Sequence, residues 1–202
     1  DITNQTIPPI TIPNKTIKDE GASADIPVGY TITRTISGGT GDNVSLAFPT
    51  KVQVIDPTEL PGQGNLLPVT FTVLNSKGNI GLAQIVGSGA DRHNPITTQV
   101  NYDNVAAGDR LELIFTGYDS FNGGNIAPGS EYLASVDLSG ADIARGTYEF
   151  KVPAVHHFSI CLGRCEAFVR ITNSQGSAVS PIQGVMVDVK KVEEPDCSSN
   201  LP

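Results

Sequence analysis

The chain of 202 residues has no tryptophan, one methionine and no apolar run long enough to span a membrane. A helix that crosses a bilayer needs about 20 predominantly apolar residues, so the sequence predicts no membrane insertion. Charged residues are also scarce, at 17%, and the acidic ones outnumber the basic ones by 21 to 13. The net charge of −8 repels phosphate backbones, and no local cluster of lysine and arginine reverses that repulsion. We therefore expect no nucleic acid among the partners.

The motifs of common catalytic and metal sites are missing as well. No Gly-x-Ser-x-Gly turn surrounds a nucleophile, and no Asp-x-Asp-x-Asp loop is present for calcium. The glycines at 38–41 are followed by no lysine that would hold a phosphate. His156 and His157 are adjacent and would point to opposite faces of a strand, so a solvated loop is a better interpretation than a shared metal. The sequence predicts a protein that is not an enzyme and has no resident cofactor.

Helical periodicity is nearly absent, whereas apolar and polar residues alternate in many short runs. The clearest run, 110–116, puts Leu111, Leu113 and Phe115 on one face. Other runs with this alternation are predicted as strands: 69–73, 147–152, 167–171 and 185–189. Antiparallel strands on short turns, without crossover helices, predict an all-β fold with little or no helix. The specific fold that we expect is an immunoglobulin-like antiparallel β-sandwich.

Two segments depart from simple alternation. Residues 134–145 predict a strand that ends at Leu138 and a helical turn after it, because Gly140 disfavours a longer helix by about 1 kcal/mol relative to alanine. Residues 91–95, with Asp, Asn and Pro around one histidine, have the composition of a turn.

The C-terminal region ends in an ordered set of strands that is repeated, in shorter form, near the N-terminus. In both places a proline-containing strand is followed by a turn, a longer strand, a polar loop and a last strand. Repeated units serve length, display or assembly more often than chemistry. The strands of the shorter copy are predicted at 10–13, 30–36, 44–48 and 51–55.

This repeat predicts two modules of unequal completeness. The expected divisions are a partial immunoglobulin-like module at 1–55, a linker at 56–62 stiffened by two prolines, a complete sandwich at 63–190 and a polar tail at 191–202.

Half a sandwich would expose the apolar face of one sheet to water, so the shorter copy needs an explanation. Three explanations stay open: the chain is cut from a longer array, its first unit is a minimal sheet that packs on the second, or another chain supplies the missing strands. The first residue is not methionine, which predicts either a processed, exported product or an excised fragment.

The three cysteines leave two alternatives open. Cys161 and Cys165 are four residues apart and could close a small loop as a disulfide, with Cys197 left unpaired. In the other alternative all three are free thiols, because spacing alone does not fix disulfide geometry.

Two further groups of side chains are candidate ligand sites. Tyr118, Phe121 and Tyr132 lie in or beside one glycine-rich loop, and aromatic rings of this kind could face a sugar. The candidates for calcium, with hard oxygen ligands at a module junction, are Asp56, Glu59, Asp103 and Asp109.

Several short motifs of the second half point to a known family. The turn Gly108-Asp109 opens a strand, another strand ends in Val152-Pro153, and Ser180-Pro181 precedes the last strand. With these motifs, residues 63–189 resemble the bacterial immunoglobulin-like repeats of large surface proteins of the adhesin and invasin type. That family often carries tryptophan in the strand after Gly-Asp, where this chain has Phe115. The resemblance implies a spacer or display module outside the cell.

Three functions follow as alternatives. The first is a non-catalytic extracellular or cell-surface structural or adhesion module from a tandem array, with neighbouring modules and a host or surface protein or glycan as partners. The second is a subunit of an extracellular filament, in which a strand of one identical subunit completes the half module of the next. The third is a carbohydrate-binding module that uses the aromatic loop.

Overall fold

The computed structural model describes residues 56–190 and Cys197 in full, and 23–28, 31–35, 42–46 and 50–54 by their backbone. The chain divides into two compact units, Asp1–Asp56 and Pro57–Pro202. Within these described ranges, no helix is long and apolar enough to cross a membrane.

The described part of the first unit consists of four strands. These are β1 (Ser23–Val28), β2 (Thr31–Thr35), β3 (Asp42–Leu46) and β4 (Thr50–Val54). β1 pairs with β4 and β2 with β3, both antiparallel. The strands predicted at 30–36, 44–48 and 51–55 correspond to β2, β3 and β4. The sequence analysis did not predict β1. The strand predicted at 10–13 lies outside the described residues.

The second unit consists of two sheets. The smaller has the order β10–β7–β5, where β5 is Thr70–Phe71, β7 is His93–Gln99 and β10 is Thr147–Pro153. The larger has the order β6–β13–β11–β8–β9, with β12 also paired to β11. Its strands are β6 (Ile80–Gly81), β8 (Arg110–Tyr118), β9 (Tyr132–Asp137), β11 (Leu162–Thr172), β12 (Ser177–Val179) and β13 (Gln183–Asp188). β6 runs parallel to β13, and the other pairs are antiparallel. The prediction of an all-β fold is confirmed at this level.

Both sheets contribute one face to a common hydrophobic core. Leu111, Leu113 and Phe115 of β8 are at most 1% exposed, as their alternation predicts. Ile96 of β7 and Val152 of β10 are fully buried from the smaller sheet. The core therefore lies between the inner faces of the two sheets, and the other face of each sheet is turned outward.

β12 and β13 follow one edge of β11 in succession, with a bulge between them. Arg170 pairs with Val179 and Ala167 with Gln183, so the three residues 180–182 oppose only two residues of β11. Pro181 cannot donate a ladder hydrogen bond. Ser180 fills the gap, because its N–H donates to the Val169 carbonyl at 2.9 Å and its Oγ accepts from the Val169 N–H at 3.0 Å.

Two short helices connect the strands around the core. α1 (Gly140–Arg145) follows β9 as the predicted helical turn, with a capping box between Ser139 and Asp142 and left-handed Gly146 at its end. α2 (Ala154–Ile160) contains His156 and His157, so the prediction of a solvated loop there is wrong. Four residues of α2, including His157, are buried, and this burial stabilises a helix too short to show a clear period in the sequence.

The segment predicted as a linker belongs to the second unit from Pro57 onward. Pro57–Glu59 and Pro61–Gly64 form short 3-10 helices. Gly62 N–H donates to the Asp103 carbonyl at 2.8 Å, and Asn173 Nδ2 donates to the Glu59 carbonyl at 3.0 Å. These long-range hydrogen bonds fix the segment to the sheet region, so it is not a free connector.

Candidate interaction surface

The candidate site is the outer face of the larger sheet, which is the face turned away from the core. Side chains alternate along a strand, so the residues between Leu111, Leu113 and Phe115 of β8 point outward. The same rule assigns the even-numbered residues of β11 to this face, because Cys165 and Ala167 are fully buried.

An apolar row crosses the outer face from strand to strand. Leu133 of β9 lies opposite Ile114 of β8, and Ile114 lies opposite Phe168 of β11. Ile182 lies in the bulge that opposes Phe168. Leu133 is 63% and Ile182 60% exposed, and the two central residues are half-buried. We call Leu133, Ile114, Phe168 and Ile182 the apolar row; it spans about 15 Å over four strand positions.

Other exposed apolar side chains surround the row. Six of the nine large hydrophobic residues that are exposed in the described part of the chain belong to the row or share its face by strand pairing. They are Ile126, Leu133, Leu162, Val179, Ile182 and Met186. Scattered exposed leucines need no explanation, but a concentration on one face marks an interaction site.

An ion-pair cluster borders the row on one side. Arg170 Nε lies 2.8 Å from Glu112 Oε2, and Arg110 Nε lies 3.5 Å from Glu112 Oε1. The hydrogen bond from Arg170, followed by the charges of both arginines, holds the pKa of Glu112 below its usual value. Exposed pairs of this kind contribute little stability, and their main effect is to fix the position of the Arg170 guanidinium.

A second pair borders the row on the other side. Arg164 Nη2 lies 2.8 Å from Glu166 Oε1, and the guanidinium covers Gly184, where an added Cβ would lie 2.3 Å from Nη2. Burial, and then the neighbouring Glu166 carboxylate, raise the pKa of Tyr118. The outer face thus has an apolar centre between two Arg–Glu pairs.

The three aromatic residues predicted as one ligand-facing loop are not brought together. Tyr132 lies opposite Phe115 and shares its inward face, and its ring lies 5.0 Å from that of His156. Tyr118 lies opposite Arg164 on the outer face. Phe121 is 40% exposed in the loop between β8 and β9. Strand alternation separates Tyr118 from Tyr132, so the three rings do not form one platform.

Both alternatives for the cysteines are wrong: Cys161 is not bonded to Cys165, and the three are not all free thiols. Cys161 is bonded to Cys197, with 5.5 Å between their Cα atoms, and Cys165 is a free, buried thiol. Residues 162–165 extend along β11 at about 3.3 Å per residue, which carries Cys165 away from Cys161 and beyond the reach of a disulfide. The bridge fixes Cys197, within the predicted polar tail, to the second unit.

Two of the four calcium candidates already have hydrogen-bond partners within the second unit. Asp109 Oδ2 accepts from the Ala106 N–H at 2.8 Å, and Asp103 Oδ2 accepts from Gln63 Nε2 at 3.4 Å. In the part of the chain that the structure describes, no three His, Cys, Asp or Glu side chains are close enough to hold a metal ion. Calcium binding stays a prediction from the sequence.

The sequence contained a signal for the apolar row that alternation alone does not use. Leu113-Ile114-Phe115 and Ala167-Phe168-Val169 are uninterrupted apolar triplets inside alternating strands. Their central residues fall on the outward face, and the register of β8 with β11 then places them opposite each other. Only the pairing of β8 with β11 shows that the outward apolar residues Ile114 and Phe168 belong to one surface.

Comparison with known proteins adds no name to this surface. No protein-family model matches the chain, and neither curated proteins nor solved structures show a significant similarity to it. The functional interpretation therefore rests on the residues of this chain.

Proposed function

We propose that the protein is a non-catalytic structural or adhesion module of immunoglobulin-like type that acts at the cell surface or outside the cell. The observation that carries this proposal is the outer face, where an apolar row lies between two Arg–Glu pairs. Such a surface suits protein contact, since its centre is apolar and its margin is polar.

The strand order supports the immunoglobulin-like part of the proposal. In the smaller sheet β7 pairs with β10. In the larger sheet β8 pairs with β11. β8 is the next long strand after β7, and β11 follows β10. Two strand pairs that interlock between two sheets are typical of Greek-key sandwiches. The parallel pairing of β6 with β13 lets the first part of the unit contribute to both sheets.

The disulfide supports the proposed location. Bridges such as Cys161–Cys197 persist in oxidising compartments and are rare in reducing ones. The acidic balance of the chain also agrees with a role that involves neither nucleic acid nor anionic membrane.

Labelling of intact source cells tests this function. An antibody against the second unit should label unpermeabilised cells or the medium, and mass spectrometry of the native protein should show Cys161 linked to Cys197. Labelling that requires permeabilisation, together with reduced Cys161 and Cys197, would contradict the proposal.

A filament assembled by strand complementation is the second candidate, favoured by one observation. Among the described strands, none pairs with the outer edge of β10, and β10 is seven residues long. An open edge of this length can accept a strand from another chain. Glu149 and Lys151 are exposed on β10, which weakens this candidate because edge charges oppose strand addition.

Truncation distinguishes the filament from the first proposal. If a donated N-terminal strand drives assembly, the full chain forms long polymers and a chain without residues 1–15 remains small. Polymers that persist after this truncation, or their absence from both proteins, would contradict the filament proposal.

No observation favours the carbohydrate-binding alternative, since Tyr118 and Tyr132 lie on opposite faces of the sheet.

A further inference from the structure

We propose that the outer face of the larger sheet binds the same face of a second copy of this chain and forms a closed two-fold dimer. The inference deepens the proposed function and rests on it, because it names the partner of the interaction surface. A dimer of this kind is isologous, so every contact occurs twice.

The apolar row provides the centre of the contact. Leu133 and Ile182 are the two most exposed of the large hydrophobic residues described. If the two-fold axis runs along the row, the rows of both copies meet and exclude water from each other. Packed sheets lie about 10 Å apart with interdigitating side chains, which accommodates residues of this size.

The charges beside the row are complementary under the same axis. Arg170 lies two residues to one side of Phe168 on β11, and Glu166 lies two residues to the other side. A two-fold axis along the row exchanges these sides, so Arg170 of each copy faces Glu166 of the other. The same two-fold axis places Glu112 of one copy opposite Thr116 of the other. Thr116 is uncharged, so these positions add no repulsion.

The charges next to the row are balanced although the whole chain is acidic. With a net charge of −8, two copies repel each other in most orientations. Next to the row, however, Arg164 and Arg170 balance Glu112 and Glu166 through the pairs already formed. The outer face is therefore a region where a second acidic copy can approach without a large electrostatic cost.

The size of the face sets the expected affinity. Four strand positions by about seven residues give about 450 Å² of flat area per copy, which is below the roughly 800 Å² of a standard interface. We expect a reversible dimer that dissociates in the micromolar range.

Sedimentation of the full chain over the micromolar range tests the association. We expect a monomer–dimer equilibrium, and substitution Leu133→Lys or Ile182→Lys should weaken it by at least about tenfold, because a buried unpaired charge opposes binding. Val155→Lys is the matched control, since Val155 is exposed on α2 and away from the outer face. Circular dichroism confirms that each variant is folded.

Exchange of charges tests the register of the dimer. Arg170→Glu alone and Glu166→Arg alone should each dimerise about tenfold more weakly, since each places two like-charged pairs in the interface. Their equimolar mixture should regain a dimer, because the opposite charges then face each other twice. Arg145→Glu is the control for general attraction: it keeps both interface residues and should form its own dimer. Its mixed dimer with Glu166→Arg contains one like-charged pair and should form more weakly than the mixed dimer of the two interface variants, as measured with one fluorescently labelled partner.

The outcomes are decisive in each arm. A chain that stays monomeric at all concentrations, or a dimer that Leu133→Lys leaves unchanged, overturns the inference. Failure of the charge-exchanged mixture to associate overturns the two-fold register. Labelling of intact cells by the antibody, with a monomeric chain, would leave the proposed function standing without the dimer.

Discussion

At the scale of single residues, His157 is a basic side chain enclosed in the core of the second unit. It is fully buried, its ring lies 5.1 Å from Phe115, and its Nδ1 lies 3.4 Å from the Pro153 carbonyl, to which it donates when protonated. Its Nε2 has no hydrogen-bond partner among the described residues. Desolvation, with a smaller contribution from His156, lowers the pKa of His157 to about 4.

This buried imidazole predicts that the protein loses stability in mild acid. Above about pH 6.5 the ring is neutral in both states. Between about pH 6.5 and pH 4 the unfolded chain binds a proton that the folded chain excludes, so the free energy of unfolding falls, by about 2 kcal/mol at about pH 5. Urea unfolding at several pH values measures this loss.

A variant pair separates His157 from other titrating groups. His157→Leu should remove most of the loss between about pH 7 and pH 5, whereas His93→Gln, at a half-buried position, should retain it. Glu112 and Asp142 also have lowered pKa values, but their stabilising effect is lost only at lower pH, near and below about pH 4.5. An equal pH dependence in His157→Leu would show that another group is responsible.

At the scale of elements, α2 packs closely on β8 because residue 117 of the strand is a glycine. An added Cβ at Gly117 would lie 2.3 Å from Ile160 Cγ1 and 2.7 Å from Ser130 Cβ. Ser130 Oγ also accepts from the Gly117 N–H at 3.2 Å and donates to its carbonyl at 3.0 Å. The helix and the loop before β9 therefore pack directly on the backbone of the strand.

Gly117→Ala is expected to destabilise the protein by about 1 to 3 kcal/mol, because the methyl group forces both neighbours to move. Gly140→Ala is the matched control: an added Cβ at Gly140, the first residue of α1, meets nothing within 4 Å, and alanine is the better helix former. Chemical denaturation should show a loss for the first and no loss for the second. Equal stabilities would contradict the close packing of α2.

The elements also show what sequence reasoning can and cannot reach. Alternation predicted β8, β10, β11 and β13, because one face of each strand is buried and the other is solvated. It missed β7, whose His93, Asn94 and Pro95 have the composition of a turn. Asn94 is buried because its Nδ2 donates to the Val73 and Gln84 carbonyls at 3.0 Å each. Such partners are distant in sequence and leave no local pattern.

Proline within β7 has a similar tertiary explanation. The Pro95 carbonyl accepts from the Thr72 N–H, so its backbone polar groups point toward β5, which ends at Phe71. The missing N–H therefore removes no hydrogen bond to β10. The strand predicted at 69–73 is reduced to Thr70–Phe71 at the same place. The neighbouring strands determine both the tolerance of proline in β7 and the short length of β5, and the local sequence pattern does not show which strands are neighbours.

At the scale of the whole molecule, the disulfide closes a loop of chain between α2 and Cys197. The cysteines are 36 residues apart in sequence, and a loop of this length predicts a stabilisation of about 4 kcal/mol from the restricted unfolded state. Cys197→Ser should therefore lower the free energy of unfolding by up to about that amount. Cys165→Ala, which leaves the bridge intact, is the control and should cost less.

Thiol counting checks the same connectivity independently. The native protein should resist alkylation, because Cys165 is buried and burial raises its pKa. One thiol per chain should react after unfolding without reductant, and peptide mapping should place it at Cys165. A label on Cys197 would instead support the bridge between Cys161 and Cys165.

The largest-scale prediction concerns the independence of the second unit. Every residue of the described hydrophobic core lies between Leu66 and Cys197, and the unit begins at Pro57. A chain of residues 57–202 should therefore fold, with the thermal midpoint and acid sensitivity of the full chain. A chain of residues 57–190 lacks Cys197 and should unfold at lower temperature, as Cys197→Ser does. If 57–202 aggregates or melts without cooperativity while the full chain does not, residues before Pro57 are required to complete this fold.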